Sequence, residues 1–321
     1  MSILCTGSSG FLGNNLTRYL LEKYPDKTVV GYSKHTYVDN PASTEPLKDN
    51  PQYKQIAGDI NDTLLFINTL KEHKVNTVVH LAAETHVDRS FTYPKDFLDT
   101  NVYGTFSILE ALKHYKNNVL LVHASTDEVF GDVPEKFCRE DDVLAPQNPY
   151  SASKMAAEAF INAYHHSFNV PTIVFRSMNM LGPYQHPEKL ISKIITRCLS
   201  DKHFTLYEGG SVRGWTYVKD TCEAIDILIE KGKVGETYHI PPNAYLTVPE
   251  VAEKILTLTD KHDLFDGYKG RRLKDDERYA LDANKFIYKL KWSPKTSFEQ
   301  GITNTIQWFN DNRWFWCHLN R

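Results

Sequence analysis

The chain has 321 residues, enough to bury a large core as one domain or as two closely joined ones. Its composition is 41% hydrophobic and 24% charged, which is typical of a globular protein. A net charge of −3 gives no general attraction to nucleic acid or to an anionic membrane, and no apolar run is long enough to span a bilayer. Five scattered cysteines argue against a disulfide framework or a metal cluster. We therefore expect a cytoplasmic protein with no metal site and no nucleic-acid or membrane partner.

Short apolar runs alternate with amphipathic stretches along the first half of the chain. The predicted strands are 3–6, 28–32, 77–81, 119–123 and 172–175, and the predicted helices are 11–23, 63–73, 97–115 and 151–166. This alternation predicts an α/β fold with a Rossmann-type, doubly wound parallel sheet. We expect residues 1–177 to form a dinucleotide-binding domain to which 213–240 returns. Residues 178–321, richer in Gly and Pro at their start, are expected to form mainly a smaller substrate-binding region.

A glycine-rich segment, Thr6-Gly-Ser-Ser-Gly-Phe-Leu-Gly13, follows the first predicted strand and begins the first helix. Its glycines allow a tight turn and a close approach of the backbone to a pyrophosphate. The helix N-terminus offers N–H groups and the positive end of a dipole to the phosphates. The residues expected to hold the dinucleotide are Gly7, Gly10, Phe11, Leu12 and Gly13, with Asp59 and Ile60 at the adenine ring.

The position about 20 residues beyond the loop indicates which dinucleotide binds. An acidic residue there holds the ribose hydroxyls and repels a 2′-phosphate, but this chain has Ser33 followed by Lys34 and His35. A hydroxyl beside a cation can accept a 2′-phosphate. The sequence therefore favours NADP, with NAD as the alternative if the later Asp39 holds the ribose.

A tyrosine and a lysine begin the helix predicted after Pro149. Tyr150 and Lys154 stand at positions i and i+4 and so share one helical face. A nearby ammonium lowers the pKa of a phenol, so Tyr150 is predicted to act as a base near neutral pH. Upstream, Ser125-Thr-Asp-Glu128 follows a predicted strand, at the carboxyl end where open α/β sheets place their ligands. Both groups are expected to belong to one catalytic site.

The glycine spacing together with Tyr150 and Lys154 resembles the extended short-chain dehydrogenase/reductase superfamily. Four segments resemble the nucleotide-sugar 4,6-dehydratases: HLAAETHVDRS at 80–90, STDEVFG at 125–131, PYSASK at 149–154 and GPYQHPEKL at 182–190. The similarity runs from the first strand to about Trp308. The Thr-Asp-Glu triplet is its specific part, because plain epimerases and reductases of the superfamily generally lack the Asp-Glu pair.

The resemblance implies a hydro-lyase that recycles a tightly bound cofactor. Tyr150 would take the proton of the C4 hydroxyl as hydride leaves C4, while Thr126 or Ser125 holds the C4 oxygen. Glu128 would then remove the proton at C5, and a protonated Asp127 would protonate the departing C6 hydroxyl. Adjacent carboxyls push one pKa upwards, which suits an acid and a base in one pocket. The hydride would return to C6, with retention or epimerisation at C5 left open.

The resemblance carries over further residues individually. Those expected to line the cofactor are Leu81, Ala82, Ala83 and Asn101, besides Tyr150 and Lys154. Those expected to bind the substrate are His86, Ser125, Thr126, Asn179, Lys189, Leu190, Arg213, Arg272 and Arg278. The helices at 97–115 and 151–166 are those that superfamily members pair into a four-helix interface, so a homodimer is expected. The residues that would allow close packing there are Ala156, Ala157, Ala159 and Phe160.

Several departures from the family pattern leave the substrate open, among them Ser33 in place of the ribose acid and Asp275 where a His often meets the nucleotide. The usual Ser-Asn-Asn reads Met178-Asn179-Met180, and the usual Arg-Asp-Trp reads Arg213-Gly214-Trp215. UDP-glucose, UDP-N-acetylglucosamine and dTDP-glucose stay comparable, with a slight preference for a UDP sugar. A 4-epimerase or reductase is the alternative within enzymes, and a non-catalytic cofactor-binding regulatory protein is the alternative outside them. The carboxyl pair argues against the first alternative, and the complete catalytic set argues against the second.

Overall fold

The structure is a computed structural model that describes residues 2–34, 41–115, 117–133, 135–270 and 278–319. Its strands are β1 (Ser2–Thr6), β2 (Thr28–Ser33), β3 (Tyr53–Ala57), β4 (Val75–His80), β5 (Leu120–Thr126), β6 (Thr172–Ser177), β7 (Asn179–Leu181), β8 (Phe204–Leu206), β9 (Val212–Tyr217), β10 (Thr237–His239), β11 (Ala244–Thr247) and β12 (Phe265–Tyr268). Its α-helices are α1 (Phe11–Lys23), α2 (Pro41–Thr44), α3 (Thr63–Glu72), α4 (Val87–Thr92), α5 (Pro94–Phe97), α6 (Gly104–Tyr115), α7 (Pro149–Phe168), α8 (Leu190–Leu199), α9 (Val218–Lys231), α10 (Val248–Thr259), α11 (Asn284–Leu290), α12 (Phe298–Asp311) and α13 (Arg313–Trp316). A π-helical segment, Leu98–Tyr103, joins α5 to α6, and 3₁₀ turns lie at Glu45–Leu47, Asp127–Phe130 and His262–Leu264.

Seven parallel strands form the main sheet, in the order β10-β6-β5-β4-β1-β2-β3. This confirms the predicted doubly wound, Rossmann-type sheet. The chain winds outwards from β1 to β2 and β3 on one side and to β4, β5 and β6 on the other. A crevice opens outside the carboxyl ends of β1 and β4, where the strand order reverses, and open α/β sheets bind their ligands at such a point.

Helices cover both faces of this sheet, and the alternation of side chains along β1 shows why. Ile3 and Cys5 face the cluster that contains Leu16 of α1, whereas Leu4 faces the cluster that contains Phe66 of α3. Because both faces are buried, β1 is apolar along most of its length rather than alternating with polar residues. The rigid layers fix the loops at the carboxyl edge.

The remaining described chain forms a smaller unit with its own core. Strands β11, β9 and β7 make one short sheet and β12 and β8 another, and α8, α10 and α12 pack around them. Strand β9 belongs to this unit, while the following α9 packs against α1 and β10 joins the main sheet. The segment predicted to return to the first domain therefore begins in the small sheet. The exact division into domains stays a prediction.

Strand β3 and the helix predicted over 97–115 are two of the elements in which the structure differs from the sequence prediction. Strand β3 was missed because Tyr53–Ala57 is an edge strand with one fully buried residue and no clear apolar alternation. The helix predicted over 97–115 begins earlier, at Pro94, and passes through the π-helical segment before α6. In the described part of the chain, no helix is both long and apolar enough to cross a bilayer.

Candidate active site

A cavity of about 1110 Å³ lies at the carboxyl edge of the main sheet and extends to the smaller unit. It brings together most of the predicted site residues, which come from distant parts of the sequence. Those that line it are Gly7, Gly10, Phe11, Leu12, Gly13, Ser33, Lys34, Asp59, Ile60, Leu81, Ala82, Ala83, His86, Ser125, Thr126, Asp127, Glu128, Tyr150, Lys154, Asn179, Lys189, Leu190 and Arg213. His35 and Arg272 lie outside the described residues. Asn101 and Arg278 are described, but they do not line the cavity.

The glycine loop forms a tight cradle in which Gly7 and Gly13 leave no room for a side chain. Gly7 has a φ of +66°, and a Cβ atom there would lie 2.9 Å from the backbone of Ala82. A Cβ atom on Gly13 would lie 2.1 Å from the carbonyl oxygen of Gly7. Helix α1 carries no acidic residue in its first turn, so its positive end faces the cavity unopposed by its own side chains. The residues present therefore fit a pyrophosphate at this position.

The ribose end of the cradle is built from two polar pairs. The hydroxyls of Ser33 and Ser9 lie 2.5 Å apart, and the ammonium of Lys34 lies 2.6 Å from Oδ2 of Asp59. Tyr32 donates its hydroxyl to the carbonyl of Asp59 at 3.0 Å. The cation predicted to attract a 2′-phosphate is thus paired with a carboxylate of the same pocket.

A chain of buried hydrogen bonds runs from the end of β1, beside the glycine loop, to the π-helical segment that precedes α6. The hydroxyl of Thr6 accepts from the backbone N–H groups of 81 and 82 and lies 2.8 Å from Nδ1 of His80. Nε2 of His80 lies 3.1 Å from the hydroxyl of Thr105, which donates to the carbonyl of Asn101. With Thr6 donating to Nδ1, the buried His80 is neutral and carries its proton on Nε2, because burial lowers its pKa to about 3.

Asn101 was expected to line the cofactor site, but its side chain lies behind the residues that line the cavity. Its amide donates to the carbonyl of Glu84 at 3.0 Å and to the hydroxyl of Ser153 at 2.8 Å, and its Oδ1 accepts from the N–H of Glu84. The side chain is almost fully buried. It therefore ties the segment after β4 to α7 instead of touching a ligand.

Tyr150 and Lys154 lie on one face of α7 and both line the cavity, as their spacing predicts. The ammonium of Lys154 donates to the carbonyl of Ala124 at 2.6 Å and lies 3.4 Å from Nε2 of His123. Burial lowers the pKa of Lys154 to about 8 and raises the pKa of Tyr150 above its usual value, with the Glu128 carboxylate adding to the latter rise. In the polypeptide alone burial thus raises the phenol pKa, and the role of Tyr150 as a base near neutral pH stays a prediction.

Asp127 is a buried carboxyl with one unsatisfied oxygen. Burial and the neighbouring Glu128 raise its pKa to about 7. The hydroxyl of Thr126 donates to Oδ1 at 3.0 Å, whereas Oδ2 has no hydrogen-bond partner among the described residues. The hydroxyl of Ser125 is likewise buried and unpartnered within the described chain. Both residues line the cavity, whereas these two atoms themselves are buried.

Cations of the smaller unit line the far side of the cavity. Lys189 donates to the carbonyl and hydroxyl of Thr85 at 3.2 and 3.3 Å. The guanidinium of Arg213 lies over the Tyr279 ring at 4.4 Å and is nearly buried. Arg278 is placed elsewhere, because its guanidinium donates to the carbonyls of Val133 and Lys136 and is held in the 131–139 loop. Of the predicted substrate-binding cations, Lys189 and Arg213 therefore line the cavity, whereas Arg278 does not.

Two of the departures from the family pattern, Met178 and Gly214, pack against each other. A Cβ atom on Gly214 would lie 2.1 Å from the sulfur of Met178. Met178 is buried in a small cluster with Val129 and Leu281 and also lines the cavity. The long thioether occupies the space above a residue without a side chain. Sequence reasoning noted both residues but had no signal that they touch.

Three comparisons with known proteins agree with this geometry. A family model described as GDP-mannose 4,6 dehydratase matches residues 4–305. A dTDP-glucose 4,6-dehydratase of Xanthomonas campestris pv. campestris is 37% identical over 330 residues, covering 97% of this chain and 93% of the relative. The structure of dTDP-glucose 4,6-dehydratase from Bacillus anthracis in complex with NAD is 39% identical, with a TM-score of 0.91 and 99% of both chains covered. That of the Streptomyces venezuelae enzyme with NAD bound is 35% identical, with a TM-score of 0.95 and coverage of 99% and 100%.

Proposed function

The chain belongs to the nucleotide-sugar 4,6-dehydratase family of short-chain dehydrogenases/reductases, and we propose that it converts dTDP-glucose to the 4-keto-6-deoxy sugar. The family membership makes it a nicotinamide-dependent hydro-lyase. The observation that carries the reaction class is the paired Asp127 and Glu128 beside Tyr150 in one cavity. The slight sequence preference for a UDP sugar finds no support among these relatives, which are named for dTDP-glucose.

An oxidised nicotinamide dinucleotide held at the glycine loop would supply the acceptor and later the donor of hydride, and its positive charge would oppose the burial that keeps Tyr150 protonated. Tyr150 receives the proton of the C4 hydroxyl, whose oxygen is held by Thr126. The charge of Lys154, anchored on Ala124, lies on the same helical face and favours the phenolate. These residues perform the oxidation half of the reaction.

The elimination half uses the two carboxyls differently. Glu128 removes the proton at C5, which the new ketone at C4 has acidified. Asp127, with a pKa raised to about 7 by burial and by Glu128, keeps its proton near neutral pH and gives it to the departing C6 hydroxyl. Water leaves, and the return of hydride to C6 together with a proton to C5 would complete the 4-keto-6-deoxy sugar, so the overall reaction is redox-neutral.

Two variants test this division of roles. Tyr150→Phe should block oxidation at C4, so neither reduced cofactor nor product forms. Glu128→Gln should still oxidise C4, so reduced cofactor accumulates on the enzyme while elimination falls by about 100-fold or more. Rapid mixing with dTDP-glucose, UDP-glucose and UDP-N-acetylglucosamine, followed by mass spectrometry, measures both steps and ranks the substrates. A product that differs from the substrate only at C4 would instead identify a 4-epimerase.

The cofactor is proposed to be NAD. Lys34 is paired with Asp59, and Ser33 with Ser9, so among these described residues a 2′-phosphate would approach a carboxylate and a cation that is already paired. The solved relatives with NAD bound support the same choice, and the sequence preference for NADP finds no support. Mass spectrometry of the cofactor released on denaturation tests the proposal. Recovery of NADP would refute it.

A homodimer through α6 and α7 is proposed from an aromatic patch on their outer faces. The ring of Phe106 on α6 lies 5.7 Å from the ring of Tyr103, at the end of the π-helical segment, and 6.0 Å from the ring of Phe160 on α7. Tyr103 is 54% exposed and Phe160 is 40% exposed. Ala157 is buried against its own sheet, so Ala159 and Phe160 form the outward face of α7 instead. Phe160→Glu should yield monomers in analytical ultracentrifugation, whereas Tyr288→Glu, on exposed α11, should not.

A further inference from the structure

Asn148, the residue before Pro149, makes two hydrogen bonds that point in different directions. Its Oδ1 accepts from the N–H of Ser151 at 2.8 Å and thereby caps α7. Its Nδ2 donates to Oε2 of Glu128 at 3.2 Å. The side chain is 7% exposed and lies in the cavity wall. One buried amide therefore connects the helix of Tyr150 to the carboxyl that follows β5.

The cap fixes which end of the amide faces Glu128. A backbone N–H can only donate, so the atom of Asn148 that meets Ser151 must be the oxygen. The NH₂ group is then forced towards Glu128, where it can only donate. A donor held in this way stabilises a carboxylate oxygen, whereas it opposes a protonated oxygen at the same place.

The neighbouring carboxyl meets the opposite environment. Asp127 is fully buried, and its Oδ2 has no partner among the described residues. An unpaired buried oxygen favours the protonated form, and a carboxylate that accepts from an amide favours the ionised form. Asp127 accepts from the Thr126 hydroxyl at Oδ1, so the two adjacent carboxyls are distinguished by the Asn148 amide, which donates to Glu128, and by Oδ2 of Asp127, which has no partner among the described residues.

We propose that Asn148 is a positioning residue that holds Glu128 ionised and aimed at the proton it removes, while leaving Asp127 as the acid. This inference rests on the proposed 4,6-dehydratase activity. It assigns the step that Asn148 serves: the residue acts on elimination and not on oxidation at C4. As the N-cap of α7, Asn148 also links the helix that carries Tyr150, which serves oxidation, to Glu128, which serves elimination.

Replacing Asn148 by serine separates the two bonds. Serine caps a helix about as well as asparagine, but its hydroxyl is too short to bring an amide donor to Glu128. Asn148→Asp also keeps a cap acceptor, but it places a second carboxylate against Glu128. Ser297→Ala is the matched control, because it removes the cap of α12, where the Ser297 hydroxyl accepts from the N–H of Gln300.

The measurement is a single turnover of the holoenzyme with dTDP-glucose, in which reduced cofactor reports oxidation and the 4-keto-6-deoxy product reports elimination. Asn148→Ser should keep C4 oxidation within about threefold of wild type and slow elimination about 10- to 100-fold, so that reduced cofactor accumulates. Asn148→Asp should slow elimination further. Ser297→Ala should lower the melting temperature and leave the ratio of the two rates unchanged.

Two results would overturn the inference while leaving the proposed function intact. One is wild-type elimination in Asn148→Ser. The other is an equal loss of both steps together with a lowered melting temperature, which would reduce Asn148 to a helix cap. If wild-type enzyme forms no 4-keto-6-deoxy product, the proposed function fails first and the inference fails with it.

Discussion

Asp127→Asn offers a direct test of the buried carboxyl, independent of turnover. In the unfolded chain this group loses its proton near its usual pKa of 3.8, whereas burial and Glu128 raise the pKa in the folded protein to about 7. Between these values the folded protein binds more protons, so its free energy of unfolding falls as pH rises through the window. At about 1.4 kcal/mol per pH unit, the full loss is about 4 kcal/mol above pH 7. Asparagine cannot ionise and should abolish this loss.

Urea unfolding followed by tryptophan fluorescence measures the effect at about pH 4.5 and about pH 8. Relative to wild type, Asp127→Asn should gain about 3 kcal/mol of stability between the two conditions, because about 1 kcal/mol of the full loss has already occurred at pH 4.5 and the pH effects of other groups cancel in the comparison. Asp142→Asn is the control. The N–H of Arg139 and the ammonium of Lys136 hold the Asp142 pKa below its usual value, so its contribution is lost only in stronger acid. Parallel pH dependences for wild type and Asp127→Asn would refute the protonated, buried carboxyl.

Two glycines give further predictions. Gly13→Ala should abolish retention of the dinucleotide on purification, because its Cβ would lie 2.1 Å from the Gly7 carbonyl, and a chain that still releases stoichiometric cofactor on denaturation would contradict the cradle. Gly214→Ala should lower stability by about 1–3 kcal/mol through its clash with Met178. The double variant Gly214→Ala with Met178→Ala should recover part of that loss in the same unfolding assay, and strict additivity would contradict the contact.

The features that the sequence predicted well are those with local signals. Helix α1 begins and ends where predicted, at Phe11 and Lys23, because glycines precede it and an apolar stripe runs along it. Asp127 and Glu128 could be placed at a ligand-binding edge because a buried strand leads directly into them. The order of residues along the chain and the apolar character of the strand were therefore sufficient to predict the bounds of α1 and the place of the two carboxyls.

The features that the sequence did not reveal depend on contacts between distant residues. Asn101 bonds to Ser153, 52 residues away, and nothing in its own segment distinguishes a supporting role from a ligand contact. The surroundings of Lys154 also depend on a distant segment, because its partners His123 and Ala124 lie on β5. Its spacing from Tyr150 gave the shared helical face, but the balance between charge and burial requires the three-dimensional surroundings.

The packing of Met178 against Gly214 also limits the order in which the two residues can have arisen during evolution. A chain with any side chain at 214 cannot hold Met178 in its present position, whereas a chain with glycine at 214 can carry a smaller residue at 178 and leave only a gap. The two changes therefore have an allowed order, in which glycine arises first and methionine follows. Relatives that combine Gly at 214 with a small residue at 178 would represent the intermediate, and the reverse combination should be absent from natural sequences.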